Sequence, residues 1–530
     1  MNVVNAHNLA PGLNMALSEL KPDLPNVDQT DNQKIDSALY FVTDAPMSDG
    51  GPRWEDQIVS IEFKTGKTGR DPFDDRNHSN QPQAEAIDRK TVFGQITHYA
   101  ENVFGVQHRC HLFMLLFFGR RARIMRWDRA GVVTSEAFDY YLQWELMCRV
   151  LYHLSFLARH FPKHVGIDPT AEHIRPNDPR WQAMNDAAAP CPTDVDHTEH
   201  DLDHEPPEHS IWVYERDMFH ESLKYDWPRY ELQVPTDAGV RKFLVGKPAF
   251  RARGMVGRGT RGYVAYEAAS KRFYWLKDTW RAYYDGIQPE GKILEELHSS
   301  LHDLKRKFKY IPTVSCHGDI RGQVTVTHQY LDYAQQRRPH PESPAQPVPP
   351  SLQSVQQHYA SSSPTLVDFD ASSSVAKPKR KRSEGDDGTT ERATPTEEER
   401  VDNGPQLRKH QHYRLVLEEV CMPLKALPSG WHLVRIMYDC VLGEYPFAIA
   451  LYAEQLKRTS VHRDAYRHNV LHRDVSGGNI LIRPIVIDSH GHKRVRWAGL
   501  LADWETAKSM GSKPHIHRQP ERTASASHSI

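Results

Sequence analysis

A chain of 530 residues with 39% hydrophobic and 25% charged residues is long enough for two or three domains, each with its own core. Its 67 Lys and Arg against 68 Asp and Glu leave no global field arguing for nucleic acid or membrane as the partner. The mean hydropathy of −0.66 assigns part of the length to polar connecting segments.

The start, MNVVNAHNLAPGLNMALSEL, lacks the basic opening and continuous apolar stretch of a secretory signal. The longest apolar run, LFMLLFF at 112–118, is too short to span a bilayer. Cys110, Cys148, Cys191, Cys316, Cys421 and Cys440 form no CxxC pair and no zinc spacing, which suits a reduced compartment. The expectation is an intracellular protein of nucleus or cytoplasm, with no membrane partner.

The block from 36 to 184 is predicted to be an α+β domain. QIVSIEF, HLFMLLFFG and RARIMRWDRAGVV read as strands, with Gly119 and Gly131 at turns. TVFGQITHYAENVFGV and AFDYYLQWELMCRVLYHLSFLARHF read as amphipathic helices. SIEFK puts Glu62 and Lys64 on one strand face, and Gln95 and Tyr99 lie one helical turn apart. With an upstream acid, Asp44 or Asp56, this is the constellation of the PD-(D/E)xK nuclease fold, in which carboxylates bind magnesium and the lysine orients water. ExK is short and common, so the favoured reading is a structural or degenerate domain, and nucleic acid is a partner only if the domain is nuclease-like.

Residues 185–210 read as a polar linker; its His197, His200, His204 and His209 lack a rigid frame for metal and are expected to be solvated. In the block from 211 to 325, VGRGTRGYVAYEAASKRFYWLKDTWR carries Gly257, Gly259 and Gly262 in G-x-G-x-x-G spacing, then Lys277. The glycines are followed by a strand and not by a helix, which excludes the dinucleotide fingerprint. Strand, glycine turn, strand and lysine is the order in which a kinase loop covers ATP and a strand lysine grips the α and β phosphates. That lysine needs a carboxylate, and PEGKILEELHSSL offers Glu290 on a helix whose buried stripe is Ile293, Leu294 and Leu297, with Glu295 and Glu296 as alternatives.

Residues 326–405 are rich in Pro, Ser and charge and are predicted to be a disordered insertion; KPKRKR at 377–382 within it reads as a nuclear import signal. The block from 406 to 508 opens with strand HYRLVLEEV. His-Arg-Asp, four spacers and Asn can then be read twice, from His462 to Asn469 and from His472 to Asn479. Only the second copy is followed by a strand, ILIRPIVI, so the first is assigned to the helix leading into the loop, with His462 and Tyr466 one turn apart. Asp474 is then the catalytic base, Asn479 a magnesium ligand, and Asp503, ending WAGLLAD, the other.

With GRGTRGYVAY, WLKDTWR, LHRDVSGGNILI, LADWE, VSIEFKTGK and FGQITHYAENVFGVQHRCHLFMLLFFGRRARIMRWDRAGVV in place, the chain resembles the fungal-type protein kinase family over about 50–523. The resemblance implies a bilobal kinase-like fold after the N-terminal domain. It implies phosphotransfer from ATP with Mg2+ to Ser or Thr of protein substrates, using Lys277, Glu290, Asp474, Asn479 and Asp503. Trp504 and Glu505 stand where that motif usually has Phe and Gly. Residues 509–530 read as a truncated activation segment, so an incomplete C-lobe is expected, leaving Arg473 no activation-loop phosphate to hold. A catalytically impaired binding protein is the alternative.

Overall fold

The computed structural model describes residues 2–17, 35–46, 53–66, 70–73, 87–224, 227–284, 286–302, 310–330, 365–367, 409–442, 470–489 and 491–509. The expected import signal, the first His-Arg-Asp copy, nearly all of the expected insertion and the tail after 509 lie outside them. The described part is α+β, with two large sheets, a smaller four-stranded one and a two-stranded ribbon.

The first sheet runs in the order β1 (Leu13–Leu17), β2 (Ser37–Phe41), β3 (Val59–Lys64), β4 (Leu112–Phe118), β5 (Arg121–Asp128) and β6 (Gly131–Thr134), with Thr365–Val367 along β6. All neighbours are antiparallel except β3 and β4, which are parallel because helix α1 (Ile87–Val106) carries the chain back across the sheet. Strand β4 is apolar throughout because both of its faces are covered. On one side Met114 and Leu116 share a core with Ile96, Tyr99 and Val103 of α1. On the other, Leu115 packs with Met147, Leu151 and Leu154 of helix α2 (Trp144–His160). The second predicted helix therefore starts later than its apolar pattern suggested; Phe138–Asp139 instead pairs with β5.

The second sheet has the order β12 (Val314–Val324), β13 (His410–Leu417), β11 (Arg272–Ala282), β10 (Arg261–Glu267), β9 (Gly239–Val245), β8 (Arg229–Thr236) and β7 (Ala171–Ile174). Its ends curl toward each other: a Cβ placed on Gly318 of β12 would lie 2.5 Å from the Pro235 carbonyl oxygen of β8. One face carries Leu232, Phe243, Tyr263, Tyr274, Leu276 and Val416. The other packs against helix α5 (Glu290–His302) and helix α4 (Val213–Leu223). Ile293, Leu294 and Leu297 are buried as their spacing predicts. Each contributes about 1.5–3 kcal/mol by leaving water.

The third sheet is a hairpin of β14 (Ile480–Ser489) and β15 (His492–Leu501), flanked by Met422–Pro423 and Asp201–Leu202 and packed on helix α6 (Gly430–Leu442). Strand pairing draws the domain limits differently from composition. Leu13–Leu17, before the expected start at 36, belongs to the first sheet, while Ala171–Ile174 and helix α3 (Pro179–Ala188) belong with the second. The 185–210 segment, expected as a linker, is built into the third sheet. Glu199 accepts from the Trp497 backbone N–H at 2.8 Å, and the His197 carbonyl accepts from the Trp497 indole N–H at 2.6 Å. Its Glu199 and Glu205 pair with Arg435 of α6 and Lys493 of β15, partners that composition alone cannot reveal.

A buried ionic network ties the first domain to the second sheet. Asp278 accepts from Arg261 (2.6 Å), Arg414 (2.8 Å) and His412 (2.7 Å), and Arg414 also reaches Asp168 at 2.7 Å. Arg261 Nη2 lies 2.8 Å from His108 Nδ1 at the end of α1. Burial opposes ionisation of Asp168, yet Arg414 and His412 hold its carboxyl down at about 2. Asp278 is adjacent to Lys277 and faces the opposite side of β11, so the network fixes the strand that carries the lysine.

Candidate active site

The residues from 246 to 260 join β9 to β10 and hold the first two glycines; Gly262 lies on β10 itself, directly opposite Lys277 of β11. Gly257 and Gly259 have positive φ, 108° and 49°, which side chains rarely adopt. The turn is open at Gly257 but packed at Gly259 and Gly262. A Cβ on Gly259 would fall 2.3 Å from the Arg129 guanidinium carbon, and one on Gly262 would fall 2.3 Å from the Trp275 ring. The Gly257 N–H donates to the Arg129 carbonyl at 2.9 Å, so the first domain holds the loop.

Lys277 Nζ donates to Glu290 Oε2 at 2.6 Å and to Asp503 Oδ1 at 2.8 Å, and Glu505 Oε2 lies 3.3 Å away. Burial works against the ammonium, but Glu290, Asp503 and Glu505 hold its pKa well above the ordinary lysine value. Conversely, burial pushes the Glu290 carboxyl up, against the pull of Lys277. Asp503 is driven the other way: Lys277 and Arg258 overcome its burial and hold it low. Glu290 is therefore the helix carboxylate that meets the lysine. The alternatives point elsewhere, Glu295 to His317 at 3.4 Å and Glu296 to Gln288 at 3.1 Å.

Asp503 sits in the left-handed region (φ 61°, ψ 63°), which Asp tolerates better than most residues. The turn is braced from two sides. The Trp504 N–H donates to Glu290 Oε1 at 2.9 Å, and the buried Trp504 ring lies edge-on to His472, with centroids 4.5 Å apart. His472 Nε2 is 3.0 Å from the Ala502 carbonyl. Asn479 donates from Nδ2 to the Asp474 carbonyl at 2.9 Å, and its own carbonyl accepts from the Ala502 N–H at 2.8 Å. The pairing of Ile480 with Leu501 thus sets the 472–479 loop beside the turn at Asp503. The predicted helix before this loop lies outside the described residues.

Among the described residues, Glu290, Asp503 and Glu505 each offer one carboxylate oxygen to a group in which these three atoms lie within 4.8 Å of one another. Such hard oxygen donors suit magnesium. The four linker histidines join no such group. Sequence reasoning missed Glu505 as a participant, and it missed Arg258, whose guanidinium reaches Glu505. Their signal was present: Arg258 lies between two glycines of the turn, and Glu505 follows Asp503 by two. Tyr214 of α4 was missed as well. Its hydroxyl donates to the Val420 carbonyl in the segment that joins β13 to the third sheet, while Phe219 packs on Phe273 with centroids 5.2 Å apart.

A second cluster lies on the first sheet. Lys64 Nζ is paired with Glu62 and donates to Gln95 Oε1 at 2.7 Å, and Gln95 meets the Tyr99 hydroxyl. The expected upstream acids do not join it. Asp44 and Asp56 are drawn to Arg175, at 3.2 and 3.1 Å. The acid beside Glu62 is Asp36: its Oδ2 accepts from the Phe63 N–H at 2.8 Å, across the antiparallel pairing of β2 with β3. Burial above all, with Asp36 adding to it, pushes Glu62 up to about 7.

All six cysteines are free, and among the described residues no helix is long and apolar enough to cross a membrane. No curated protein and no solved structure matches the chain. A family model described as fungal protein kinase matches residues 78–528, most of the chain, including the glycine turn, Lys277, Glu290, the 472–479 loop and Asp503. The chain belongs to the fungal protein kinase family.

Proposed function

We propose that the chain transfers the γ-phosphoryl group of ATP, with Mg2+, to Ser or Thr hydroxyls of protein substrates. The observation that carries this is Lys277, set on a β-strand and bound at once by Glu290 of the packed helix and by Asp503 of the loop after β15. Lys277 grips the α and β phosphates, and Glu290 keeps it extended. Asp474 accepts the proton of the attacking hydroxyl. Asn479 and Asp503 would hold magnesium, which would supply charge neutralisation at the phosphates. The hydroxyl proton leaves to the Asp474 carboxylate as the new O–P bond forms and the bond to ADP breaks. The chain incubated with labelled Mg·ATP and a Ser/Thr-containing protein should transfer label, and the Asp474→Asn variant should not. Label transfer that survives this change would remove Asp474 from the role.

A second reading concerns the N-terminal domain. Asp36, Glu62, Lys64, Gln95 and Tyr99 converge on a sheet whose β3 and β4 are parallel and joined by α1, an arrangement that supports a PD-(D/E)xK-like fold. In the described structure Lys64 is spent on Glu62, which favours a structural role over cleavage. Loss of thermal stability in Glu62→Ala without metal-dependent DNA cleavage by the wild type agrees with that role; cleavage lost in Glu62→Ala reverses it.

A further inference from the structure

Arg258 occupies the place between the first two glycines, and its backbone is fixed: its carbonyl accepts from the Trp280 N–H at 2.8 Å and from the Thr279 hydroxyl at 3.4 Å. Its side chain turns under the loop and meets Glu505 Oε2, the oxygen that also lies 3.3 Å from Lys277. Two cations, Lys277 and Arg258, therefore face three carboxylates, Glu290, Asp503 and Glu505, leaving the cluster with one net negative charge. The Arg258 and Glu505 side chains are 28% and 12% exposed, so water screens this imbalance only in part.

A nucleoside triphosphate brings several negative charges to this place. A cluster with a net negative charge repels it unless a divalent cation arrives with it. Glu505 is the carboxylate that tips the balance, because without it two cations face two carboxylates.

We propose that Arg258 is a second phosphate-contacting cation for the nucleotide, and that Glu505, which holds it in the described structure, makes nucleotide binding depend on the divalent metal. The inference rests on the ATP reading given above. On binding, Arg258 exchanges Glu505 for phosphate oxygens, which it can meet with two N–H groups at once. Glu505, released from Arg258 and Lys277, then faces the cation held at Asp503.

The test is equilibrium binding of ATP to the full chain, with excess Mg2+ and with a chelator in its place, for the wild type, Glu505→Gln, Glu505→Asp, Arg258→Gln and Arg258→Lys. The wild type should bind at least roughly tenfold more weakly without metal, in line with the loss of one charge-assisted contact. Glu505→Gln should reduce that ratio severalfold by tightening metal-free binding, whereas Glu505→Asp keeps the charge and should retain the ratio. Arg258→Gln should weaken Mg·ATP binding roughly tenfold, with partial recovery in Arg258→Lys. The metal ratio is a readout that a merely structural role would not move. An unchanged ratio in Glu505→Gln together with unchanged Mg·ATP affinity in Arg258→Gln overturns this inference and leaves the ATP reading standing. No binding of Mg·ATP by the folded wild type overturns both.

Discussion

Two lysines in this chain are held by carboxylates, and they are held differently. Lys277 on β11 is met by three carboxylates from two parts of the sequence, Glu290 of α5 and Asp503 and Glu505 of the turn after β15. Lys64 is paired with Glu62, two residues away on its own strand, and with the neutral Gln95. In the first case the carboxylates hold the ammonium charged against its burial. In the second the carboxylate itself gives way, its pKa pushed up to about 7. A lysine facing several acids from different elements is poised for an anionic ligand that brings its own cation. On the proposed reading, chemistry belongs to the first site, and the local Lys64–Glu62 pair supports the first sheet.

The largest expected effect separates the two at once. Asp474→Asn should lower phosphotransfer by roughly 10²–10⁴-fold, the usual worth of a general base, measured as initial rate with saturating Mg·ATP. Lys277→Met should then destabilise the protein by about 3–5 kcal/mol in urea unfolding, because buried carboxylates lose their counter-charge. Lys64→Met should cost clearly less, since Glu62 can take up a proton instead. Equal losses at the two lysines would erase the difference between the two sites.

The pH dependence sharpens the same contrast. The folded-state pKa of Glu62 is raised above the ordinary 4.5 to about 7, so the folded protein binds more protons than the unfolded chain between those values. Stability contributed by this group therefore falls as pH rises from 4.5 to about 7 and is flat above. Glu62→Gln should remove the fall, seen as a smaller difference in urea midpoint between about pH 5 and about pH 8 than in the wild type. The smallest effect expected is packing around the glycine strand. Gly262→Ala drives a methyl into the Trp275 ring and should cost about 1–3 kcal/mol, read as a lowered melting temperature. No change would mean that Trp275 can step aside.

Much of the proposed site was legible because its parts are local patterns. The glycine spacing, the apolar stripe of Ile293, Leu294 and Leu297 behind Glu290, and the strand following the second His-Arg-Asp copy each report a period or a turn. The N-terminal acid was misread for an equally physical reason. Asp44 and Asp56 are nearer to Glu62 in sequence than Asp36 is, but the antiparallel register of β2 on β3 brings Asp36 to Glu62, and Arg175 claims the other two. The 185–210 segment looked like a linker because polar side chains say nothing of the partners that satisfy them.

By itself the sequence determined which residue types stand at each chemical position: the glycine turn, Lys277, Glu290, Asp474, Asn479 and Asp503, and the elements that carry them. Those are set by periodicity, by turn residues and by short spacings along the chain. Tertiary structure alone decided that Glu505 and Arg258 join the same charge cluster, that Arg129 and Trp275 pack the glycine turn, and that Asp36 stands by Glu62. Such contacts span up to 247 residues along the chain for Arg258 and Glu505. They follow from strand register and from the balance of buried charge, which no local pattern encodes.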